Sequence, residues 1–312
     1  MSKRTDRIGE IQESANCGMM KIIEYNNAND IKVEFVETKA VVGATYHFFK
    51  KGLVKDHLYY GHKRVGEINE SNYWGPMEII NYHDTFNVDI KFLNTGTIVT
   101  RRYERFKDGN IKDPLGKSVF DVGYMGIGKY KSKNNNINTK NYNVWHSMIS
   151  RCYSNYTLNL QPAYIDKTVC KEWLNFQTFS VWFFDNYYEI PNEIMHLDKD
   201  CIMKGNTEYC PIMCNFIPAT INSLLVKSDS IRGKYPIGVS LNNQCNPNKY
   251  SATMRVDKVS TFIGNFNTKL EAFEAYKQAK ESQIKVMADR YKEYLPSRVY
   301  EALYNYQVNI ID

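Results

Sequence analysis

The sequence lacks any uninterrupted apolar run that approaches the ~18 residues of a membrane-spanning helix. Residues 1–7 are polar and contain no apolar segment of the kind that a secretory signal peptide needs. Seven cysteines in 312 residues, without such a leader, indicate a reducing compartment rather than a disulfide framework. We therefore expect a soluble protein of the cytoplasm with no membrane partner.

The chain also lacks a strong excess of either charge. Lys and Arg total 40 against 34 Asp and Glu, which gives a net charge of +6. So small an excess permits a polyanionic partner without requiring one, and the placement of the charges matters more than their sum. At 312 residues, the chain is long enough for two or three domains, each with its own core.

An internal repeat with a spacing of 57 residues fills the first third of the chain. Residues 18–25 return as residues 75–82, and the register then continues without a gap. Later matched pairs include Ile31 and Val88, Val33 and Ile90, Phe35 and Phe92, Tyr46 and Tyr103, Phe49 and Phe106, and Gly52 and Gly109. The alternation of apolar and charged residues in each copy is typical of half-buried antiparallel strands. We predict tandem duplicated β modules within residues 1–128, at about 18–57 and 75–114.

The second copy of the repeat is the more basic one. Arg101 and Arg102 stand where the first copy has Ala44 and Thr45. If the modules contact nucleic-acid phosphates, this arginine pair is the better candidate. A solvated face on a packing, oligomeric or protein-binding module explains the pair equally well. Residues 129–141, which are rich in Lys and Asn, are predicted to form a basic linker.

The stretch 195–222 predicts the unit around which the rest of the chain is organised. Its pattern indicates a short strand, a turn at 205–206, a second strand and a helix that begins near Pro218. Apolar stripes predict two further helices behind it, at 144–153 and about 171–187.

Polar side chains gather on the first strand of this unit. Strand alternation places His196, Asp198 and Asp200 on one face and Lys199 on the other. Hard oxygen ligands and an amide on such a unit could hold a divalent metal ion.

The last third of the chain predicts a three-stranded antiparallel sheet packed on one helix. The predicted elements are strands at 235–240, 249–256 and 261–266 and a helix at about 269–291. Alternation along the middle strand turns four polar side chains outward, those of Lys249, Ser251, Thr253 and Arg255. Residues 293–312 form a tail with little pattern.

Residues 142–228 resemble phage-type HNH homing endonucleases, of the branch whose first motif is Asp followed by Arg or Lys. The residues that carry the resemblance are Trp145-x-x-Met148-x-x-Arg151-Cys152, Val169-Cys170-x-x-Trp173-x-x-Phe176-x-x-Phe179, Leu197-Asp198-Lys199-Asp200 and Cys214-Asn215-Phe216-Ile217-Pro218. The resemblance implies a ββα-metal fold that holds one Mg²⁺ or Mn²⁺ ion. Carried over by position, Asp198 is the first-strand ligand, Asn215 the central Asn and Asn222 the final ligand. Asp200 would add or orient a ligand.

Lys199 stands where this family usually places its general base. A Lys amine titrates near ~10.4 unless it is buried or crowded by cations. His196 is the alternative base, because its ordinary pKa of ~6.5 suits proton transfer at neutral pH. His146 is a weaker second candidate. A structural zinc site is a further, disfavoured interpretation, with ligands from Cys210, Cys214, Cys152 and Cys170.

Residues 233–292 resemble the plant ethylene-response-factor (APETALA-type) DNA-binding domain. The matching residues are Ile237-Gly238-Val239, Lys249-Tyr250-x-Ala252, Ile263-Gly264-x-Phe266-x-Thr268 and Glu271-Ala272-x-x-Ala275-Tyr276-x-x-Ala279. The resemblance implies a sheet laid into the major groove of double-stranded DNA, which is about 12 Å wide. Arg255 would contact a guanine, while Lys249 and Lys258 would contact phosphates.

Three hypotheses follow. The first is a metal-dependent, site-directed DNA endonuclease or nickase of the homing type, encoded by a phage or another mobile element. The second is a catalytically inactive DNA-binding protein that acts as a phage regulator or as an antagonist of host defence. The third is a structural or inhibitory protein that binds a protein partner through the N-terminal modules and needs no DNA.

Overall fold

Antiparallel sheets and helices alternate along the computed structural model, which describes residues 7–225, 234–244, 249–256, 259–310 and 312. The chain divides into two compact units, Met1–Gly116 and Lys117–Asp312. The predicted α+β class is confirmed.

The first unit contains two four-stranded sheets with the orders β1-β2-β3-β4 and β5-β6-β7-β8, whose strands pair antiparallel. Its elements are β1 (Ile11–Ser14), β2 (Gly18–Asn27), β3 (Asp30–Phe35), β4 (Val41–Ala44), α1 (Tyr46–Lys50), α2 (Tyr59–His62), β5 (Ile68–Ser71), β6 (Gly75–Tyr82), β7 (Val88–Phe92), β8 (Ile98–Arg101) and α3 (Tyr103–Lys107).

The two sheets have separate apolar cores and the same local arrangement. Met20 pairs with Phe35 in the first sheet, and Met77 pairs with Phe92 in the second. A further matched feature is a glycine after each short helix. Gly52 has φ +67° and Gly109 has φ +65°. A Cβ at Gly52 would lie 2.7 Å from the Glu13 carbonyl oxygen in β1, and a Cβ at Gly109 would lie 2.7 Å from the Glu70 carbonyl oxygen in β5. The backbone conformation and this close approach both require glycine there.

The second unit contains one large hydrophobic core and one smaller one. Its strands and α-helices are β9 (Lys133–Asn134), β10 (Ile137–Asn138), α4 (Lys140–Tyr153), α5 (Asn155–Leu160), β11 (Thr168–Val169), α6 (Phe176–Asn186), β12 (Met195–Asp198), β13 (Glu208–Tyr209), β14 (Asn215–Pro218), α7 (Ala219–Leu225), β15 (Val239–Asn242), β16 (Lys249–Val256), β17 (Val259–Phe266), α8 (Lys269–Arg290) and α9 (Ser297–Tyr304). Its described residues also include two 3₁₀ turns, Pro162–Tyr164 and Lys171–Leu174.

Residues 129–141 are ordered where a basic linker was predicted. β9 and β10 form a hairpin whose turn residues, Asn135 and Asn136, have φ of 46° and 63°. Asn tolerates this left-handed region better than most residues, so an Asn-rich run can form a tight turn as well as a linker. The backbone N–H of Tyr130 donates to Gln177 Oε1 at 2.9 Å, and α4 then begins at Lys140.

Two predicted element bounds differ from the structure for local reasons. The helix expected from Lys171 begins as a 3₁₀ turn, and α6 starts only at Phe176, after Asn175 caps it by accepting from the Gln177 N–H. The strand expected from 235 begins at Val239, because the Val239 N–H donates to the Pro236 carbonyl in a turn (3.1 Å).

Helix α8 belongs to both cores of the second unit. Its first half places Ala272, Phe273 and Tyr276 against the three-stranded sheet β15-β16-β17. Its second half places Met287 and Ala288 in the large core that also contains α4, α6, β12 and β14. The predicted domains 142–228 and 233–292 therefore lie in one compact unit.

The tail is packed as well. Val299 and Leu303 of α9 are buried in the large core, and Val308 is buried in the small one. Lys204, in the loop after β12, donates to the Gln307 carbonyl at 2.9 Å and pairs with Asp312.

Because α8 joins the two cores, we expect Met287→Ala to weaken both. Met287 is 1% exposed, and truncating a buried Met costs about 2–5 kcal/mol of unfolding free energy. Val286→Ala is the matched control, since Val286 is 51% exposed and its truncation should cost under about 0.5 kcal/mol. Amide hydrogen exchange should show lost protection in both β16 and α6 for Met287→Ala. Unchanged protection in β16 would contradict the shared packing.

Candidate functional site

The pairing of β12 with β14 brings the candidate metal ligands together. Asp198 lies directly opposite Asn215 in this antiparallel ribbon, and His196 lies opposite Ile217. Residues that face each other across such a pair project to the same side, with Cβ atoms about 4.5–5.5 Å apart. The alternate residues, Leu197 and Phe216, are buried in the large core, which fixes the register.

The start of α7 adds the fourth predicted residue. β14 passes into α7 without a loop, and the Ala219 N–H donates to the Ile194 carbonyl at 2.8 Å. Within the helix, Asn222 Nδ2 lies 3.2 Å from His196 Nδ1. His196, Asp198, Asn215 and Asn222 are thus carried by one ribbon and the helix that continues it.

Asp198 organises the end of its strand. Its Oδ1 accepts from the backbone N–H groups of Asp200 at 3.0 Å and Cys201 at 2.6 Å. Burial raises the pKa of Asp198 above its ordinary value, the Cys201 N–H opposes that shift, and the charge of Asp200 adds to it. A cation bound beside this carboxyl would favour its ionised form.

The oxygen atoms of Asp198 and Asn215 are of the type that a hard divalent ion prefers. Asn215 Nδ2 donates to the Met213 carbonyl at 3.2 Å, which leaves its Oδ1 as the atom that could serve as a ligand. Mg²⁺ is usually held by one or two protein oxygens together with waters and substrate phosphates. A cluster of three or more His, Cys, Asp or Glu side chains that could hold a metal does not occur among the described residues. The fit therefore depends on one carboxylate and one amide.

The cysteines considered for zinc are core residues. Cys152, Cys170 and Cys214 are buried, and Cys210 is half-buried. Burial raises the pKa of Cys170 to about 12 and that of Cys152 to about 11, so both are thiols at neutral pH. Zinc binds thiolates, and the described residues give no group of ligands around these sulfurs.

Lys199 is directed into the protein, away from His196. Its side chain is 5% exposed, and Nζ donates to Asp200 Oδ2 at 2.6 Å and to the Asn206 carbonyl at 2.7 Å. The ammonium also lies 5.9 Å from the centre of the Tyr209 ring. Lys199 therefore links residues 200 and 206 of the loop after β12, and these two hydrogen bonds use two of its three donors.

Of the two candidate histidines, only His196 contacts another predicted site residue. Burial lowers the pKa of His196, and the charge of Arg151 lowers it further. His146 lies on α4 with its ring 5.2 Å from that of Phe120 and 5.7 Å from that of Tyr142. His146 is therefore a packing residue in an aromatic cluster.

Sequence reasoning assigned no role to Arg151, although it lies in one of the quoted motifs. It occupies the last turn of α4, and its charge reaches His196 on β12. A basic residue at the end of an apolar helix was visible in the sequence. The hydrogen bond from that helix end to the Tyr209 hydroxyl on β13 was not.

The outward face of the three-stranded sheet differs from its prediction at one position. Ser251 is buried, because its hydroxyl donates to Asn265 Oδ1 at 2.6 Å on the neighbouring strand. Lys249 donates to Asn267, Thr253 is half-buried, and Arg255 is exposed. Lys258 lies outside the described residues.

Asn265 is the residue of this sheet that sequence reasoning missed. Ser240, Ser251 and Asn265 form a row of paired residues across the three strands. Asn242 Nδ2 also donates to Asn265 Oδ1, at 3.3 Å. The signal that could have found this residue is the polar Asn within the apolar run 262–266.

In the first unit, Arg101 and Arg102 are both exposed. Arg101 donates to the Thr100 carbonyl at 2.8 Å, and the Arg102 guanidinium lies 5.0 Å from the centre of the Phe86 ring.

Comparisons with protein-family models, with curated proteins and with solved structures found no match. No helix in the described parts of the chain is both long and apolar enough to cross a membrane.

We expect Lys199→Met to lower the free energy of unfolding by about 1.5–3 kcal/mol, because it removes buried hydrogen bonds from a charged donor. The control is Lys140→Met. Lys140 pairs with Glu189 across an exposed surface, and loss of such a pair costs about 0–1 kcal/mol. Urea unfolding of both variants measures the difference. Equal stability of Lys199→Met and the wild type would contradict the structural role.

Proposed function

We propose that this protein is a metal-dependent DNA endonuclease or nickase that cuts near a sequence read by its C-terminal sheet. The observation that carries the proposal is the side-by-side placement of Asp198 and Asn215 on β12 and β14, with His196 held by Asn222 next to them. Two hard oxygens and an imidazole beside them are the parts that single-metal phosphodiester hydrolysis needs.

In this proposal, Asp198 and Asn215 hold one Mg²⁺ or Mn²⁺ ion. When bound, the ion stabilises negative charge on the leaving oxygen of the phosphodiester. Asn222 is its final ligand by family resemblance, but its contact with His196 gives it a second task, which is to orient the imidazole.

His196 acts as the general base through Nε2. This requires Nδ1 to carry the ring proton and to donate a hydrogen bond to Asn222 Oδ1. A half-turn of the Asn222 amide about its Cβ–Cγ bond places Oδ1 where Nδ2 lies, 3.2 Å from Nδ1. Nε2 is then free to take a proton from the attacking water.

The sheet β15-β16-β17 supplies the DNA-reading surface. Thr253 and the exposed Arg255 lie on β16, and the exposed residues Ser240 and Asn265 present a hydroxyl and an amide group on the two flanking strands. Such groups read base edges in the major groove, where Arg favours guanine and Asn favours adenine. This surface supports an APETALA-type interface with double-stranded DNA.

Two finer assignments of fold belong to the same proposal. The β12–β14–α7 unit is a ββα-metal unit of the HNH type, supported by the order strand, loop, strand, helix with the ligands on the strands. The two sheets of the first unit are duplicated modules, supported by the matched pairing of Met20 with Phe35 and of Met77 with Phe92. Arg101 and Arg102 would give the second module its phosphate contacts.

A catalytically inactive DNA-binding protein is the second candidate. Two observations favour it. Lys199, at the usual position of the base, is committed to Asp200 and Asn206, and the amide group that meets His196 Nδ1 is an N–H donor. This candidate predicts salt-dependent DNA binding that neither EDTA nor Asp198→Ala changes.

A plasmid nicking assay decides between the two candidates. The substrate is supercoiled DNA that carries a sequence selected for binding, with Mg²⁺ or Mn²⁺ present. We expect the wild type to produce nicked circles and Asp198→Ala to abolish the product. His196→Ala should lower the rate about 100-fold or more, as loss of a general base does, whereas His146→Ala should stay within about threefold of the wild type. Uncut DNA with every protein, or equal rates for His196→Ala and the wild type, would overturn the proposed mechanism.

A further inference from the structure

Arg151 is a half-buried cation that has only neutral partners among the described residues. Its Nη1 donates to the Tyr209 hydroxyl at 3.2 Å and its Nε to the Ser147 carbonyl at 3.3 Å. The guanidinium carbon lies 5.5 Å from the centre of the Tyr209 ring and 5.7 Å from that of Tyr164.

A comparison with Lys199 shows what Arg151 lacks. Both cations lie against the Tyr209 ring, Lys199 at 5.9 Å and Arg151 at 5.5 Å. Lys199 is neutralised by Asp200, whereas no carboxylate within the described part of the chain forms an ion pair with Arg151. A charge that is partly removed from water is normally paired, because its desolvation is costly.

We propose that Arg151 binds the phosphodiester at the cleavage site, which rests on the function proposed above. The guanidinium presents donors in a planar fork that matches two phosphate oxygens. Its stacking on Tyr209 and Tyr164 holds the fork in place before DNA arrives. The Tyr209 ring that Arg151 contacts at 5.5 Å also lies 5.9 Å from Lys199, the residue that follows Asp198, so an anion bound to Arg151 would lie near the end of the strand that carries the candidate metal ligand. Arg151 thus completes the site with a group that the ribbon β12–β14 does not itself supply.

The test measures DNA binding without metal, so it does not depend on cleavage. Duplexes that carry the selected sequence receive one neutral methylphosphonate each, at successive positions across the footprint. For the wild type in EDTA, we expect one position at which this change weakens binding about tenfold. Arg151→Gln should weaken binding of the unmodified duplex by a similar factor and show no further loss at that position.

Two more proteins complete the experiment. Lys285→Gln removes one positive charge from the exposed side of α8 and should keep the full sensitivity of the wild type. Arg151→Lys keeps the charge without the fork and should recover part of the binding. Arg151→Lys replaces Arg151→Gln in the binding measurements if thermal unfolding shows that Arg151→Gln does not fold.

We call a phosphate coupled to Arg151 if its replacement weakens binding by the wild type but not by Arg151→Gln, and the position of this phosphate decides the result. Coupling at the nick site supports the proposal. If Arg151→Gln removes the sensitivity to one methylphosphonate but the protein does not cut DNA, Arg151 binds a phosphate and the proposed nuclease activity is wrong. Equal sensitivity of Arg151→Gln and the wild type at every position would overturn the proposal, as would a coupled phosphate remote from a mapped nick.

Discussion

The register between β12 and β14 is the constraint on which the candidate site depends. Leu197 and Phe216 face each other on one side of the ribbon, so Asp198 and Asn215 share the other side. Both sides of β14 are buried, and a slip of one residue would turn Phe216 to the side that now carries Asn215 and Ile217. Packing of the apolar side chains thus positions Asp198 and Asn215 without a polar contact between the two.

Helix α8 extends this constraint to the candidate DNA-reading sheet. Because one helix contributes Phe273 to the small core and Met287 to the large one, the sheet and the β12–β14 ribbon belong to one compact unit. Lys204 strengthens the connection, since it binds the end of the chain from the loop after β12. In the proposed nuclease, recognition and cutting would therefore occur at a fixed offset along the DNA.

Strand alternation predicted the side of the ribbon on which each residue lies, because period-two patterns need only local geometry. It placed His196 and Lys199 on opposite faces, and in the structure His196 is exposed and Lys199 is buried. It did not predict what Lys199 binds, since Asn206 reaches it only after the loop has folded back. It also exposed Ser251, because the partner Asn265 lies on another strand.

Long-range packing was the other limit of the sequence. The apolar face of α8 predicted a helix behind the sheet. The periodicity of that face is the same in both halves of the helix, so it does not indicate that the first half packs on the sheet and the second half packs in the large core. Arg151 was likewise overlooked, because its hydrogen bond to Tyr209 forms only when the end of α4 lies beside β13.

Binding of Mn²⁺, followed by electron paramagnetic resonance, tests the central claim most directly. Asp198 is proposed as a ligand, whereas its neighbour Asp200 is engaged by Lys199 at 2.6 Å. The account predicts that the wild type binds one Mn²⁺, that Asp198→Asn weakens this binding at least about tenfold, and that Asp200→Asn changes it far less. Equal binding by Asp198→Asn and the wild type, or no binding by either, would contradict the account.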